Sequence, residues 1–377
     1  MDKLADHLKC RVAELRNMKG EGRKIIGYTP GGYMPEELIY ACGTMPVPVG
    51  LIKGGELKPV LLSGEYIPRW IDTFCRAQIG YFTSNDEPLY LIIDSLIVPI
   101  TDTNIRSVAD VLDFYTDIEV FRFGVPHAKT KTGLEYYLNG IKALKGKLED
   151  ITGAEITDQK LREAIELSNR ERGLLTAISS MRKAESPPIS GKDFMELNHA
   201  SFLADKKVMV EVLESLCTEL KKKESPRPKG PRILLTGSTL AFGDYKVYEL
   251  IEATGAMVVI EEFAEGIRHY WEKVHPDGDL MEALADRYFW RRVVPGWFRP
   301  GRERLDFLVQ LVNDFNINGV IWYQLMYRDS YDIESYYFQD ILMRETSVPM
   351  LKISSDYGSS ETAPLKTRVE AFIETIE

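Results

Sequence analysis

Four stretches concentrate the residue types that bind or react: TPGGYM (29–34), PITDTN (99–104), GSTLAFGD (237–244) and LMYRDSYD (325–332). Each follows an apolar run that reads as a strand. In parallel α/β sheets, ligands sit beyond the carboxyl ends of the strands, so all four are candidate binding loops. The last places Arg328 among two aspartates and two tyrosines. That density beside the aromatic strand IWYQ favours a site over solvated charge alone. In TPGGYM, the pair Gly31 and Gly32 would let the backbone approach a flat ligand beside Tyr33. GSTLAFGD lacks the Lys-Ser/Thr of a phosphate-binding P-loop and the spacing of a dinucleotide fingerprint. Its Gly237, Ser238 and Thr239 either present N–H groups to an anion at a helix entrance or simply make the turn.

The four cysteines, Cys10, Cys42, Cys75 and Cys217, form no C-x-x-C pair. Neither a zinc site nor a redox dithiol has local support. Cys217 shares a helical stripe with Leu213, Leu216 and Leu220 and reads as a core thiol. His269 and His275 have no evident ligand partners, which favours structural or surface roles for both. The triplet Lys221–Lys223 reads as a solvated helix end.

The elements that must position these loops alternate. A helix over 3–19 precedes a strand (24–28), a helix opened by Pro35 and stopped by Gly43, and a second strand. A helix near 66–80 follows, then LYLIIDSLIVPI (89–100), read as one strand buried on both faces, then a helix over 103–114. The middle is helical, with a start at Thr157, a break at PPISG (187–191) and a long helix over about 199–223. KKKESPRPKGP (221–231) reads as a linker. Strands then resume at 232–236, MVVIEE, 319–324 and 349–353, with helices at 302–316 and 334–345. Leu38–Gly43 matches Leu250–Gly255 at an offset of 212, each within a strand–loop–helix–strand unit. The expected fold is therefore α/β. Two similar parallel-sheet domains (1–150 and 231–377) flank a helical segment and linker (151–230).

Composition sets limits. The chain has 377 residues, a net charge of −10 and 44% hydrophobic residues, which is ordinary for globular proteins. The acidic balance argues against general nucleic-acid binding. No apolar run reaches membrane-spanning length, and the N-terminus lacks a signal-peptide core, so a cytoplasmic address is expected.

Several segments in order resemble subunits of the 2-hydroxyacyl-CoA dehydratase and class I benzoyl-CoA reductase family: YMPEELIYACGTMPVPVGL, RAQIGY, VPITDTN, GVPH, LEDITGAEITDQKLREAIELSNRERGLL, PRILLTGSTLAFGDYKVYELIEATGA and VPMLKISSDY. The resemblance spans nearly the whole chain. It implies paired flavodoxin-like domains, an acyl-CoA substrate, a homologous sister subunit bearing a 4Fe-4S cluster, and a separate ATP-hydrolysing iron–sulfur activator. It also places three cluster cysteines of the family at Asp72, Thr101 and Arg328, none of which is a thiol here. The expectation is that this chain binds no metal or cluster of its own, and that Asp72 and Arg328 meet where thiolates would converge, the rival being that Arg328 points at a ligand such as a substrate carboxylate or a CoA phosphate. The resemblance further offers Glu56 and the loop Gly31, Gly32 and Tyr33 as pocket candidates; Arg328 stands beside Glu56 as a catalytic candidate, and Gly237, Ser238 and Thr239 remain the substrate contacts read from their own loop. It leaves open whether the chain shapes an acyl-CoA pocket or is a non-catalytic scaffold or regulatory subunit. It does not separate dehydration from ring reduction.

Overall fold

The computed structural model describes residues 2–377 apart from 30, 44, 45, 85, 224–229 and 359. Pro30 of the first loop and most of the expected linker thus lie outside the described residues. Two four-stranded parallel sheets carry the fold. The first contains β1 (Lys24–Tyr28), β2 (Pro46–Gly50), β3 (Ser95–Ile100) and β4 (Glu119–Gly124), in the order β2-β1-β3-β4. The second contains β5 (Arg232–Gly237), β6 (Met257–Glu262), β7 (Gly319–Leu325) and β8 (Met350–Ser355), in the order β6-β5-β7-β8. The orders are the same permutation. The repeat at Leu38–Gly43 and Leu250–Gly255 therefore falls on equivalent places of two flavodoxin-like units. β7 is buried at every residue, and β3 at all but its last, as strands covered on both faces should be.

The halves are joined closely. Gly54 N–H donates to Phe242 O (2.9 Å) and Phe242 N–H to Ile52 O (2.8 Å). A Cβ on Gly54 would lie 2.4 Å from that of Ala241, so only glycine allows this approach. One apolar core runs through both units, from Ile25, Leu96 and Val98 to Leu235, Ile321 and Tyr323. The helical middle comprises Asp158–Met181, Gly191–Ala200 and Lys206–Leu220. Cys217 packs there with Leu213, Leu216 and Leu220.

Several element boundaries differ from expectation, each for a local reason. The run 89–100 is not one strand. Pro88 opens a helical turn, Pro88–Leu91, and the strand starts only at Ser95. Asp94 accepts the N–H of Ile25 at 2.8 Å and so sets that start. The helix expected near 66–80 is Thr73–Thr83, because Asp72 caps it by accepting the Cys75 N–H at 3.0 Å. The helix expected over 199–223 is divided: Ser190 caps Gly191–Ala200, and Asp205 caps Lys206–Leu220. The helix expected at 334–345 begins at Asp329, which puts Arg328 at its entrance. β4 has no counterpart among the expected strands. It is an edge strand of mixed exposure, without the continuous apolar run of its neighbour.

Candidate functional site

The carboxyl ends of six strands converge on one cavity of about 590 Å³. β1 contributes Gly31, β3 contributes Thr101–Arg106, β4 leads to His127, β5 to Ser238 and Thr239, β6 to Glu265, and β7 to Tyr327–Tyr331. Pro295–Phe298 closes one side. This is where a doubly wound fold places a ligand.

Arg328 is the electrostatic centre. Its Nη1 donates to Asp72 Oδ2 at 2.8 Å and its Nη2 to Asp102 Oδ2 at 2.9 Å. Asp72 is fully buried and also accepts from Asn104 Nδ2 at 2.8 Å. Asp102 caps the helix Thr103–Tyr115 through the Ile105 N–H at 3.0 Å, and Thr101 Oγ1 donates to it at 3.1 Å. Two carboxylates, each fixed at a helix N-terminus, thus clamp one guanidinium. Burial works against the Arg328 charge, but Asp102 and Asp72 hold the group well above its ordinary value, so it stays a cation. Cys75 lies 3.6 Å from Arg328 Nη1. Burial, reinforced by Asp72, pushes its thiol well above the ordinary range. It is a thiol here, not a thiolate. Tyr327 holds a left-handed backbone (φ 67°), and its carbonyl accepts from Asn104 at 2.9 Å. That turn swings Arg328 inward; a non-glycine residue held there is strained, a feature that clusters at binding sites.

Gly31 lines the cavity, and its carbonyl accepts from Arg292 Nη2 at 2.7 Å. Gly32 is needed for packing: a Cβ there would fall 1.9 Å from the same guanidinium. Tyr33 is buried behind the wall, stacked on Phe298 at 5.7 Å, and does not line the cavity. Gly237 has φ +143° and presses on Tyr323 O, so it shapes the turn. Ser238 accepts the Leu325 N–H on its Oγ at 2.9 Å, tying β5 to β7 and leaving its hydroxyl proton free to point elsewhere. Glu56 stands apart. It is half exposed and pairs with Lys53 at 3.2 Å, outside the cavity.

Asp102, Asn104 and Glu265 carry no role in the sequence reading. Glu265 is the notable one. It is buried in the cavity wall, and one carboxylate oxygen lacks a hydrogen-bond partner among the described residues. Burial raises its pKa, against the pull of nearby N–H groups, Arg268 and Arg328. A signal existed, because Glu265 follows the β6 strand end, where the same rule that found Arg328 applies.

A second charged cluster braces the first loop. Glu36, Glu37 and Glu171 face Lys206 and Arg172, all buried. Lys206 Nζ bonds Glu36 at 2.8 Å and also Glu171; Arg172 pairs with Glu37 at 2.7 Å. Carboxylate oxygens of Glu36 and Glu171 and a ring nitrogen of His269 lie within 4.8 Å of one another, but the Lys206 ammonium already bridges the two acids. His269 stacks on Phe202 at 4.1 Å, a structural setting. His275 is exposed. Burial pushes Glu171 up to about 7; at Glu36 burial acts the same way, but Lys206, His269 and Arg172 together outweigh it and hold the group down to about 2. In the unfolded chain Glu171 would titrate near the ordinary ~4.3. Between there and pH 7 the native state therefore binds the extra proton, and stability from this group falls as pH rises. Glu171→Gln should remove that decline. Urea midpoints measured from pH 5 to 7.5 should drop more for the wild type than for the variant. Parallel curves would show that Glu171 is ionised throughout.

Residues 32–376 match the family described as 2-hydroxyglutaryl-CoA dehydratase, D-component. The chain belongs to this family. Its relatives align along almost their full lengths. One is a protein of Escherichia coli (strain K12) named as a provisional dehydratase subunit, YjiM, 25% identical over 100% of this chain and 97% of that one. The (R)-phenyllactyl-CoA dehydratase beta subunit of Clostridium sporogenes is 23% identical, over 96% and 94% of the two chains. A benzoyl-CoA reductase subunit of Thauera aromatica is 23% identical, over 94% and 91%. All three relatives are named as subunits. Among the described residues, no helix is long and apolar enough to cross a membrane.

Proposed function

We propose that this chain is a cluster-free, cytoplasmic subunit of an ATP-dependent acyl-CoA enzyme, either a 2-hydroxyacyl-CoA dehydratase or a reductase of the benzoyl-CoA type. It shapes an acyl-CoA thioester pocket beside a homologous sister subunit, which holds the 4Fe-4S cluster and is charged by a separate ATP-hydrolysing activator. The observation that carries the reading is the Asp72–Arg328–Asp102 clamp. A four-iron cluster needs several thiolates. The residues at Asp72, Thr101 and Arg328 supply carboxylate, hydroxyl and guanidinium instead, and the thiol beside them, Cys75, faces that guanidinium. These donors do not fit a cluster. The clamp fills the place with opposite charges, and the remaining volume is free for a ligand. The cavity also favours a pocket role over a scaffold role. A subunit retained for assembly alone would not need a chamber of about 590 Å³ lined by a buried carboxyl and Arg328.

Iron and acid-labile sulfide should be determined on the purified chain after anaerobic incubation with iron and sulfide, alongside the complex isolated with its sister. The expected result is stoichiometric iron and sulfide in the complex only. A cubane on the isolated chain would overturn the assignment. Ser238→Ala, assayed in the assembled complex, should lower turnover with assembly intact; unchanged turnover would favour the scaffold.

A further inference from the structure

We propose that the nucleotide end of the ligand lies in the groove beside the main cavity, its base against Trp70 and Tyr327 and its phosphates against Arg69, with the Arg76 charge behind it. This rests on the acyl-CoA reading and gives that ligand a second point of attachment.

The groove has a volume of about 670 Å³ and is lined by Gly64, Ile67, Pro68, Arg69, Trp70 and Tyr327. It meets the main cavity at Tyr327, which lines both. A ligand can therefore pass from one to the other without leaving the protein surface. Trp70 is 69% exposed and Tyr327 49% exposed. A tryptophan so open to water, beside an aromatic residue held in a strained turn, offers π faces for a flat ligand. A purine base fills such a platform.

Charge points the same way. Neither Arg69 nor Arg76 has an acidic partner among the described residues, on a chain whose net charge is −10. Arg76 donates to Ser63 Oγ (3.2 Å) and Val60 O (2.8 Å), which aim its guanidinium without neutralising it. Burial and the neighbouring Arg69 both lower its pKa, the signature of two cations sharing one place. Some other surface arginines do pair with acids, as Arg122 does with Asp110 and Asp113. Two unpaired guanidiniums beside an aromatic platform match a ligand that carries phosphates next to a base. A neutral or purely apolar partner would use the tryptophan and leave the arginines unmatched.

Coenzyme A and adenosine 3′,5′-bisphosphate, which carries the base and phosphates without the acyl arm, serve as probes in calorimetric titrations of the full chain and of its complex with the sister subunit. The bisphosphate should bind. Trp70→Ala and Arg69→Gln should each weaken both probes by roughly tenfold, the loss expected for one base stack or one phosphate contact. Both side chains are exposed, so unfolding midpoints should stay at the wild-type value and show that the fold is intact. Binding of coenzyme A with no binding of the bisphosphate overturns the groove while the acyl-CoA reading stands. So does binding of either probe that is indifferent to both substitutions, which would leave Trp70 as a contact for another protein. If neither probe binds the chain or the complex, both readings fall.

Discussion

Arg328→Met should cost the protein about 3–4 kcal/mol of stability at neutral pH. Removing one partner of a buried ion pair strands the other charge, and such losses run to about 3–5 kcal/mol. The lower end applies because Asp72 keeps the Asn104 amide at 2.8 Å and the Cys75 N–H at 3.0 Å. Asp102 has partial access to water and keeps its own helix cap. Adding Asp72→Asn to Arg328→Met should return part of the loss, since the amide strands no charge, and the coupling from the double-mutant cycle should be large and favourable. Arg328→Lys should fall between, because a lysine ammonium cannot span two carboxylates with a planar fork. The measurement is urea unfolding at neutral pH. It also decides between two uses of the arginine. If Arg328 were held for a ligand rather than for Asp72 and Asp102, its removal would cost little in the free protein and much in binding.

The Asp72–Arg328 contact was legible before any coordinates because opposite charges stood where a family ordinarily converges like ligands. Burial then demands that they pair. The partners that complete the clamp were hidden in plain view. Asp102 and Asn104 belong to TDTN, whose capping pattern explains the helix Thr103–Tyr115 without invoking a site, and the capping role is real: Asp102 does both. Glu265 was missed because an acid after a strand is usually solvated, and the strand-end rule that marks its loop does not say that Ala264 and Glu265 turn inward. The two sheets followed from runs such as ILLT and GVIWYQ, whose burial on both faces leaves little choice of structure. The edge strand β4, half exposed, has no such signature. Tyr33 shows the opposite error. Its position beside Gly31 and Gly32 is close to the cavity, but alternation of direction along the backbone sends its ring into the core against Phe298. Proximity along the chain identifies a loop; which side chains of that loop face the ligand is settled by packing from the other half of the molecule.

Glu262→Gln should be the more damaging change, costing about 4–5 kcal/mol or abolishing folding. Glu262 ends β6 fully buried and serves two cations at once. Arg304 reaches it with Nη2 at 2.8 Å and Nε at 3.0 Å, Arg268 Nε lies at 2.9 Å, and Thr236 Oγ1 donates at 2.8 Å. Burial works against its ionisation, but Arg268 and Arg304 together hold the carboxyl below the usual range. Glutamine keeps the shape and one acceptor but not the charge, so two guanidiniums lose their shared counterion in a dry interior. The effect would not stay local. Arg304 also donates to Gly237 O at 3.2 Å, at the turn that presents Ser238 and Thr239, and Arg268 lies in the segment that carries Glu265. The cavity wall and the ends of β5 and β6 are thus tied to one carboxylate, while Arg304 keeps a weaker partner in Glu334 at 3.3 Å. Hydrogen exchange of Glu262→Gln, if enough protein folds, should show lost protection at the ends of β5 and β6 and retained protection in β1 and β3. Asp340→Asn, in an exposed pair with Arg344, should shift the urea midpoint by under about 0.5 kcal/mol equivalent. If the two substitutions cost the same, buried charge would not be what holds the second unit together, and the clamp at Arg328 would have to be judged again on the same measure.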